Sequence, residues 1–240
     1  MAPNNQWTHQ TDSVISRSPA TVRVKNLQST ITGPQDAWGR HNRPQPISIS
    51  ATVTFEKPFN TTSSGDVLSF DTLHYGFLSK AILAALDKCS ANDDVKSLDD
   101  VLDYIWRDLT YTSMKSLLYD QVENSNKEAA LVNYFRATAM QITAKLPKAS
   151  LAGDGVSMTA TVIADTVVDE ALVPRASRSV KVHDVRIPIL IGVNPNEREA
   201  KQVVIANVDI DGFTTDSGLW TVEQVFVDVS CAIDLEEAVC

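Results

Sequence analysis

One hairpin pattern that occurs twice limits what this chain can fold into more than any other feature of it. Between Ser179 and Asp211, a β-branched, apolar strand from Val180 to Val193 leads into a polar loop carrying Asn194, Pro195 and Asn196. The return strand runs from about Lys201 to Asp209, and strand alternation puts Val204, Ala206, Val208 and Ile210 on one face. An acid–base pair, Glu197-Arg198, sits where that strand begins. Part of the same pattern precedes it between Thr21 and Lys57: a strand, a Gly-centred polar loop and a return strand. There Ile47, Ile49, Ala51, Val53 and Phe55 alternate with Ser48, Ser50, Thr52, Thr54 and Glu56. An internal repeat therefore organises the chain.

With 240 residues there is room for one large domain or two small ones. The segment between the hairpins changes period. Phe77, Leu78, Ala81, Ile82, Ala85 and Leu86 recur at helical spacing, which predicts an amphipathic helix over about 73–88 with Asp71 as its N-cap. Ser97 and Asp100 read as a capping box opening a second helix, whose stripe is Leu98, Val101, Leu102, Ile105 and Leu109. A polar insertion follows at about 110–130. Period two returns with Met140, Ile142 and Ala144, then with Val156, Met158, Ala160 and Val162, after a turn-rich LPKASLAGDG. Residues 166–178, with Pro174, read as a linker, and Leu219, Val222, Val225 and Val229 mark a last helix. The expected division is a flexible tail (1–19), a full ββααββ unit (20–165), the linker, and a partial ββα unit (179–240). Helices on one face of an antiparallel sheet make an α+β fold. A two-stranded hairpin with one helix cannot stand alone, so the second unit should lean on the first or on another subunit.

Composition excludes several function classes. Apolar content of 43% and charged content of 21% are those of a globular protein, without the roughly 18–20 consecutive apolar residues of a membrane helix. A net charge of −9 argues against non-specific nucleic-acid binding, which depends on neutralising phosphates. The N-terminus lacks the basic start and apolar core of a signal peptide. Cys89, Cys231 and Cys240 are odd in number and share no metal-ligand spacing, which suits a reducing, cytoplasmic setting. His74 and His183 have no convergent further ligands, so no metal site is expected.

The element order, with Asp71-Thr72-Leu73-His74-Tyr75-Gly76 opening the first helix, resembles the dihydroneopterin aldolase family and its tunnelling fold. Ile142 to Pro147 followed by Gly155-Val156 is similar to that family's lysine–proline strand and its successor, and Ile191-Gly192-Val193 with Glu197-Arg198 to its first hairpin. The tandem arrangement is similar to paired aldolase domains of fungal folate-pathway proteins, with a truncated second repeat. The resemblance implies a retro-aldol or epimerase reaction on a pteridine or similar ring, without metal, Schiff base or other cofactor. It implies catalytic roles for Tyr75, Lys145 (or Lys148) and Glu197, and substrate-binding roles for Glu223, Asp99 and His74. The hairpin glutamate is replaced by Gly39-Arg40 in the first repeat, so a site composed across repeats or subunits of a homo-oligomer is implied. Each residue also has a plainer reading. Tyr75 can be an amphipathic helix start, Lys145 and Lys148 solvated strand-end lysines, Asp99 a macrodipole partner, and Glu197-Arg198 a loop ion pair. A non-catalytic subunit for binding or assembly, or a recruited isomerase or cyclase of secondary metabolism, are the alternative functions.

Overall fold

The computed structural model describes residues 20–65, 73–111, 137–168, 171–190 and 199–211, together with 192 and 194. The strands are β1 (Ala20–Ile31), β2 (Gln45–Phe55), β3 (Ala137–Leu146), β4 (Val156–Val168), β5 (Ala171–Ile189) and β6 (Gln202–Asp211). Between β2 and β3 come a short helix α1 (Asn60–Gly65), then α2 (Tyr75–Ser90) and α3 (Leu98–Tyr111). The strands form one antiparallel sheet in chain order, β1 to β6.

Strand alternation explains which face carries the helices. Ile47, Ile49, Ala51 and Val53 of β2, Met140, Ile142 and Ala144 of β3, and Val156 and Met158 of β4 are buried on one face. Against them lie Leu78, Ile82, Ala85 and Leu86 of α2 and Val101, Leu102, Ile105 and Leu109 of α3, the two stripes read from helical spacing. Helix α2 packs on β1 and α3, and α3 reaches β3 and β4. The opposite face, which carries no helix among the described residues, is lined largely by hydroxyls and amides, with Ala139 and Ile163 buried among them. Thr143 and Thr159 Oγ1 atoms lie 2.8 Å apart, Gln141 donates to Thr161 Oγ1 at 3.3 Å, and Gln28 donates to Ser48 Oγ at 3.2 Å. This is an α+β fold whose first six main elements run ββααββ, apart from the added turn of α1.

The repeat is visible in backbone geometry. Thr21-Val22-Arg23-Val24-Lys25-Asn26-Leu27-Gln28 aligns with Ser179-Val180-Lys181-Val182-His183-Asp184-Val185-Arg186. Both segments break register at the same place, between Val24 and Leu27 and between Val182 and Val185. Each bulge holds a non-glycine residue in the left-handed region, Asn26 at φ 52° and Asp184 at φ 49°. The residue opposite each bulge satisfies the freed amide: Asn26 N–H donates to Ser50 Oγ at 3.0 Å, and Asp184 N–H donates to Asn207 Oδ1 at 3.3 Å. Asn and Asp are the side chains that tolerate this conformation best.

Two expectations need correction. No linker occupies 166–178: β4 runs on to Val168 and β5 starts at Ala171, with Thr166↔Val173, Val167↔Leu172 and Val168↔Ala171 paired. Pro174, read as a breaker, falls where the β4–β5 register breaks between Ile163 and Thr166. Among the described residues β6 also pairs only with Ser179 onward, so Pro174 interrupts no six-strand ladder there. The N-cap of α2 is His74, three residues later than expected, because its Nδ1 accepts from Gly76 N–H at 3.0 Å. The capping box stands: Ser97 N–H donates to Asp100 Oδ2 at 2.9 Å and Asp100 N–H donates to Ser97 Oγ at 3.1 Å. The tail 1–19, the insertion at 110–130 and the helix marked by Leu219 to Val229 lie outside the described residues, apart from the last residues of α3.

Cys89 is a free, buried thiol on α2, pushed up to about 11 by burial and by Asp100, and so is inert near neutrality. Among the described residues no helix is long and apolar enough to cross a membrane, and no cluster of His, Cys, Asp and Glu could hold a metal ion.

Candidate functional site

One row of cross-strand partners spans the sheet: Gln28, Ser48, Lys145, Ser157, Lys181 and Asp209. Lys145 lies between Ala144 and Leu146, both buried under the helices, so its side chain stands on the helix-free face. Directly opposite it is Ser157, 6% exposed. Directly opposed side chains are about 5 Å apart at Cβ. Ser157 Oγ and His183 Nε2 are 2.7 Å apart, a hydrogen bond whose donor depends on the imidazole tautomer.

The β5 bulge puts His183 there. His183 N–H donates to Gly155 O at 3.0 Å, and His183 O accepts from Asp154 N–H at 2.7 Å, which ties the bulge to the β3–β4 turn. Burial holds the His183 imidazole below its ordinary value. The ammonium groups of Lys145 and Lys181 push the same way, and Asp184 and Asp209 pull against them. Both acids have other partners: Asp209 Oδ2 is 3.1 Å from Lys181 Nζ, and Asp184 Oδ1 accepts from Asn207 Nδ2 at 3.0 Å. Lys145 has no carboxylate partner among the described residues.

A histidine that resists protonation in the fold has a definite sign of pH dependence. The unfolded chain takes up a proton at His183 near its ordinary pKa, and the native state does so only at lower pH. The native state therefore loses stability as pH falls from about 6.5 through the folded value. His183→Gln removes that contribution. Urea melts at pH 7.5 and pH 5 should show a smaller acid loss in the variant than in the wild type.

The remaining candidates separate. His74 and Tyr75 open α2 as a stacked pair, ring centroids 4.7 Å apart, with Tyr75 64% exposed and the His74 Nδ1 lone pair spent on the cap. Helix α2 covers the face opposite to Lys145, so Tyr75 and Lys145 do not meet within one chain. Lys148 is exposed in the β3–β4 turn, and its carbonyl accepts from Ala37 N–H at 3.0 Å. Arg40, which stands at the expected hairpin-glutamate position, is turned onto Asp36, with Nε at 2.8 Å from Oδ2. Glu197 and Glu223 lie outside the described residues.

Asp99 points at a cation. Arg178 of β5 reaches under α3 with Nε 2.9 Å from Asp99 Oδ1, an ion contact without hydrogen-bond alignment, and its Nη2 donates to Asp103. Burial raises the Asp99 carboxyl, Arg178 lowers it, and Asp103 and Asp100 raise it further. The three groups clamp α3 to the sheet. Arg178→Met leaves a half-buried carboxylate unpaired, and a loss of about 2 kcal/mol is expected in denaturant melts. Lys181→Met, at an exposed pair, should cost under about 0.5 kcal/mol.

Sequence reasoning missed Ser157, and weighed His183 only as a metal ligand. Alternation puts Lys145, Ser157 and Lys181 on polar faces, but the register that aligns them is a long-range property.

No family model and no curated protein sequence matches the chain. Solved structures do. A dihydroneopterin aldolase from Burkholderia thailendensis bound to guanine is 14% identical, covering 61% of this chain and 92% of its own, with TM-score 0.37. The Escherichia coli dihydroneopterin aldolase in complex with neopterin is 12% identical over 58% of this chain and 97% of its own, TM-score 0.36. A hyperthermostable mutant of Bacillus sp. TB-90 urate oxidase is 9% identical over 79% of this chain and 67% of its own, TM-score 0.48. At these identities they are likenesses of fold, not of chemistry.

Proposed function

We propose that this protein acts on a small pterin-like ring by acid–base chemistry of the retro-aldol or epimerase type, as a cytoplasmic homo-oligomer. The observation that carries the reading is the juxtaposition of Lys145 with a serine hydroxyl already hydrogen-bonded to an imidazole. The Ser157–His183 pair can pass a proton between its members, and Lys145 stands directly opposite Ser157 in the register; a substrate bound between them would bring the groups within the reach that acid–base catalysis requires. Lys145 is the catalytic residue of this reading, with Ser157 and His183 positioning and relaying. Tyr75, on the other face of its own sheet, would act from a neighbouring copy. Among the described residues β1 and β6 form the outer edges of the sheet and have no further strand partner, which offers a means of assembly, and β6 exposes Val203 (64%) and Ile205 (60%).

The test is turnover of 7,8-dihydroneopterin, read as glycolaldehyde release or epimerisation, with Lys145→Met and Tyr75→Phe beside the wild type. A loss of about 100-fold or more is expected in Lys145→Met, with Lys148→Met near wild type. Absence of both binding and turnover in the wild type would remove the reading. A second reading, a non-catalytic subunit, is favoured by Asp99 and Arg40, both committed to internal ion pairs at positions where the family resemblance calls for ligand-facing carboxylates. Binding without turnover would select it.

A further inference from the structure

We infer that the Lys145 row is a receptor for an oxyanion, a carboxylate or phosphate group of the ligand, held between the Lys145 ammonium and the Ser157 hydroxyl, which His183 orients. The inference rests on the reading that this part of the helix-free face is the ligand site, and it adds the charge of the ligand. Its basis is how the acids nearby are spent. Lys181 faces Asp209 at 3.1 Å, Asp184 is held by Asn207 at 3.0 Å, and Arg186 faces Asp154 at 3.8 Å. Each acid around His183 thus has a partner on or beside β5 and β6. Lys145 on β3, two strands in from β5, has none among the described residues.

The neighbours of Lys145 on the helix-free face are hydroxyl side chains, Ser48 and Ser157 in its own row and Thr143 and Thr159 in the next. These supply hydrogen-bond donors without supplying negative charge. A lysine set beside donors and unmatched by a carboxylate is arranged to receive an anion, and charge-assisted bonds of this kind are the stronger ones. The register fixes the arrangement, since Ser48, Lys145 and Ser157 are direct cross-strand partners on three adjacent strands. Ser157 is also oriented from the side by His183 Nε2 at 2.7 Å.

The experiment is titration of the full chain with inorganic phosphate and, separately, with acetate at constant ionic strength, followed by NMR at the Ser157 amide and the His183 imidazole. Saturable shifts are expected, weakened about tenfold or more in Lys145→Met and unchanged in Lys148→Met; the tighter of the two anions identifies the ligand group. Absence of saturable shifts with either anion, or equal weakening by both substitutions, would overturn the inference. Its failure is distinct from failure of the proposed function. A protein that binds phosphate here but leaves dihydroneopterin untouched keeps the anion site and loses the pterin reading, and turnover without anion binding does the reverse.

Discussion

Gly155→Ala is expected to destabilise the protein by more than about 3 kcal/mol and to disorganise the Lys145 row. Gly155 has φ +94°, in the region that L side chains rarely enter. A Cβ there would also lie 2.2 Å from Leu146 O and 2.6 Å from Pro147 Cα, backbone atoms where β3 enters the loop that leads to β4. No rotamer change relieves such a clash, so the loop itself must open. The loop is part of the site, because the Gly155 carbonyl accepts from His183 N–H at 3.0 Å and the next residue but one is Ser157. Chemical denaturation should show the loss, and the Ser157 and His183 resonances should move with it. Gly65→Ala, where an added methyl meets nothing within 4 Å, should change stability by less than about 1 kcal/mol.

Ile49→Ala should cost about 3–4 kcal/mol. Ile49 is fully buried on β2, paired with Leu27 of β1 and Ala144 of β3 beneath the helices. Its neighbours are fixed by two strand ladders and cannot close around the lost volume, so a cavity penalty adds to the transfer term. Ser48→Ala, one residue away on the helix-free face, removes an exposed-side hydroxyl and should cost less than about 1 kcal/mol. The contrast in denaturant midpoints between adjacent residues tests directly which face the helices cover.

Periodicity made most of the architecture legible. Period two in β2 and β3 and helical spacing in α2 and α3 named the core faces correctly, since burial of one stripe dominates local preference; in β4 the expected stripe is buried at Val156 and Met158 but only half-buried at Ala160 and Val162, while Ile163 is buried on the other face. Pro174 misled because its cost depends on pairing: a register break and an unpaired side remove the penalty that proline carries inside a ladder. The α2 cap lies at His74 rather than Asp71 because an imidazole nitrogen can fill the acceptor role usually played by a carboxylate or hydroxyl oxygen, here for Gly76 N–H.

The repeat was legible as a hairpin pattern, but not its bulges. Asn26 and Asp184 betray themselves only when the two segments are laid side by side, as polar residues with left-handed tolerance at equivalent places. Of the candidate residues, Lys145 stands opposite Ser157 in the register, while Asp99 meets the guanidinium of Arg178. That difference hangs on Arg178, which sat in the supposed linker. Strand β5 delivers both Arg178 to α3 and His183 to Ser157, and neither delivery can be read without the register of 160 with 178 and 157 with 181.

The most direct test of the Lys145–Ser157–His183 site is the imidazole titration of His183 by 15N NMR, in the wild type and in Lys145→Met, with His183→Gln assigning the signal among the four histidines. The expected result is a wild-type pKa below the ordinary histidine range that rises when the Lys145 ammonium is removed. An ordinary pKa that Lys145→Met leaves unmoved would contradict the site, since it would mean that lysine and imidazole do not share one face of the sheet.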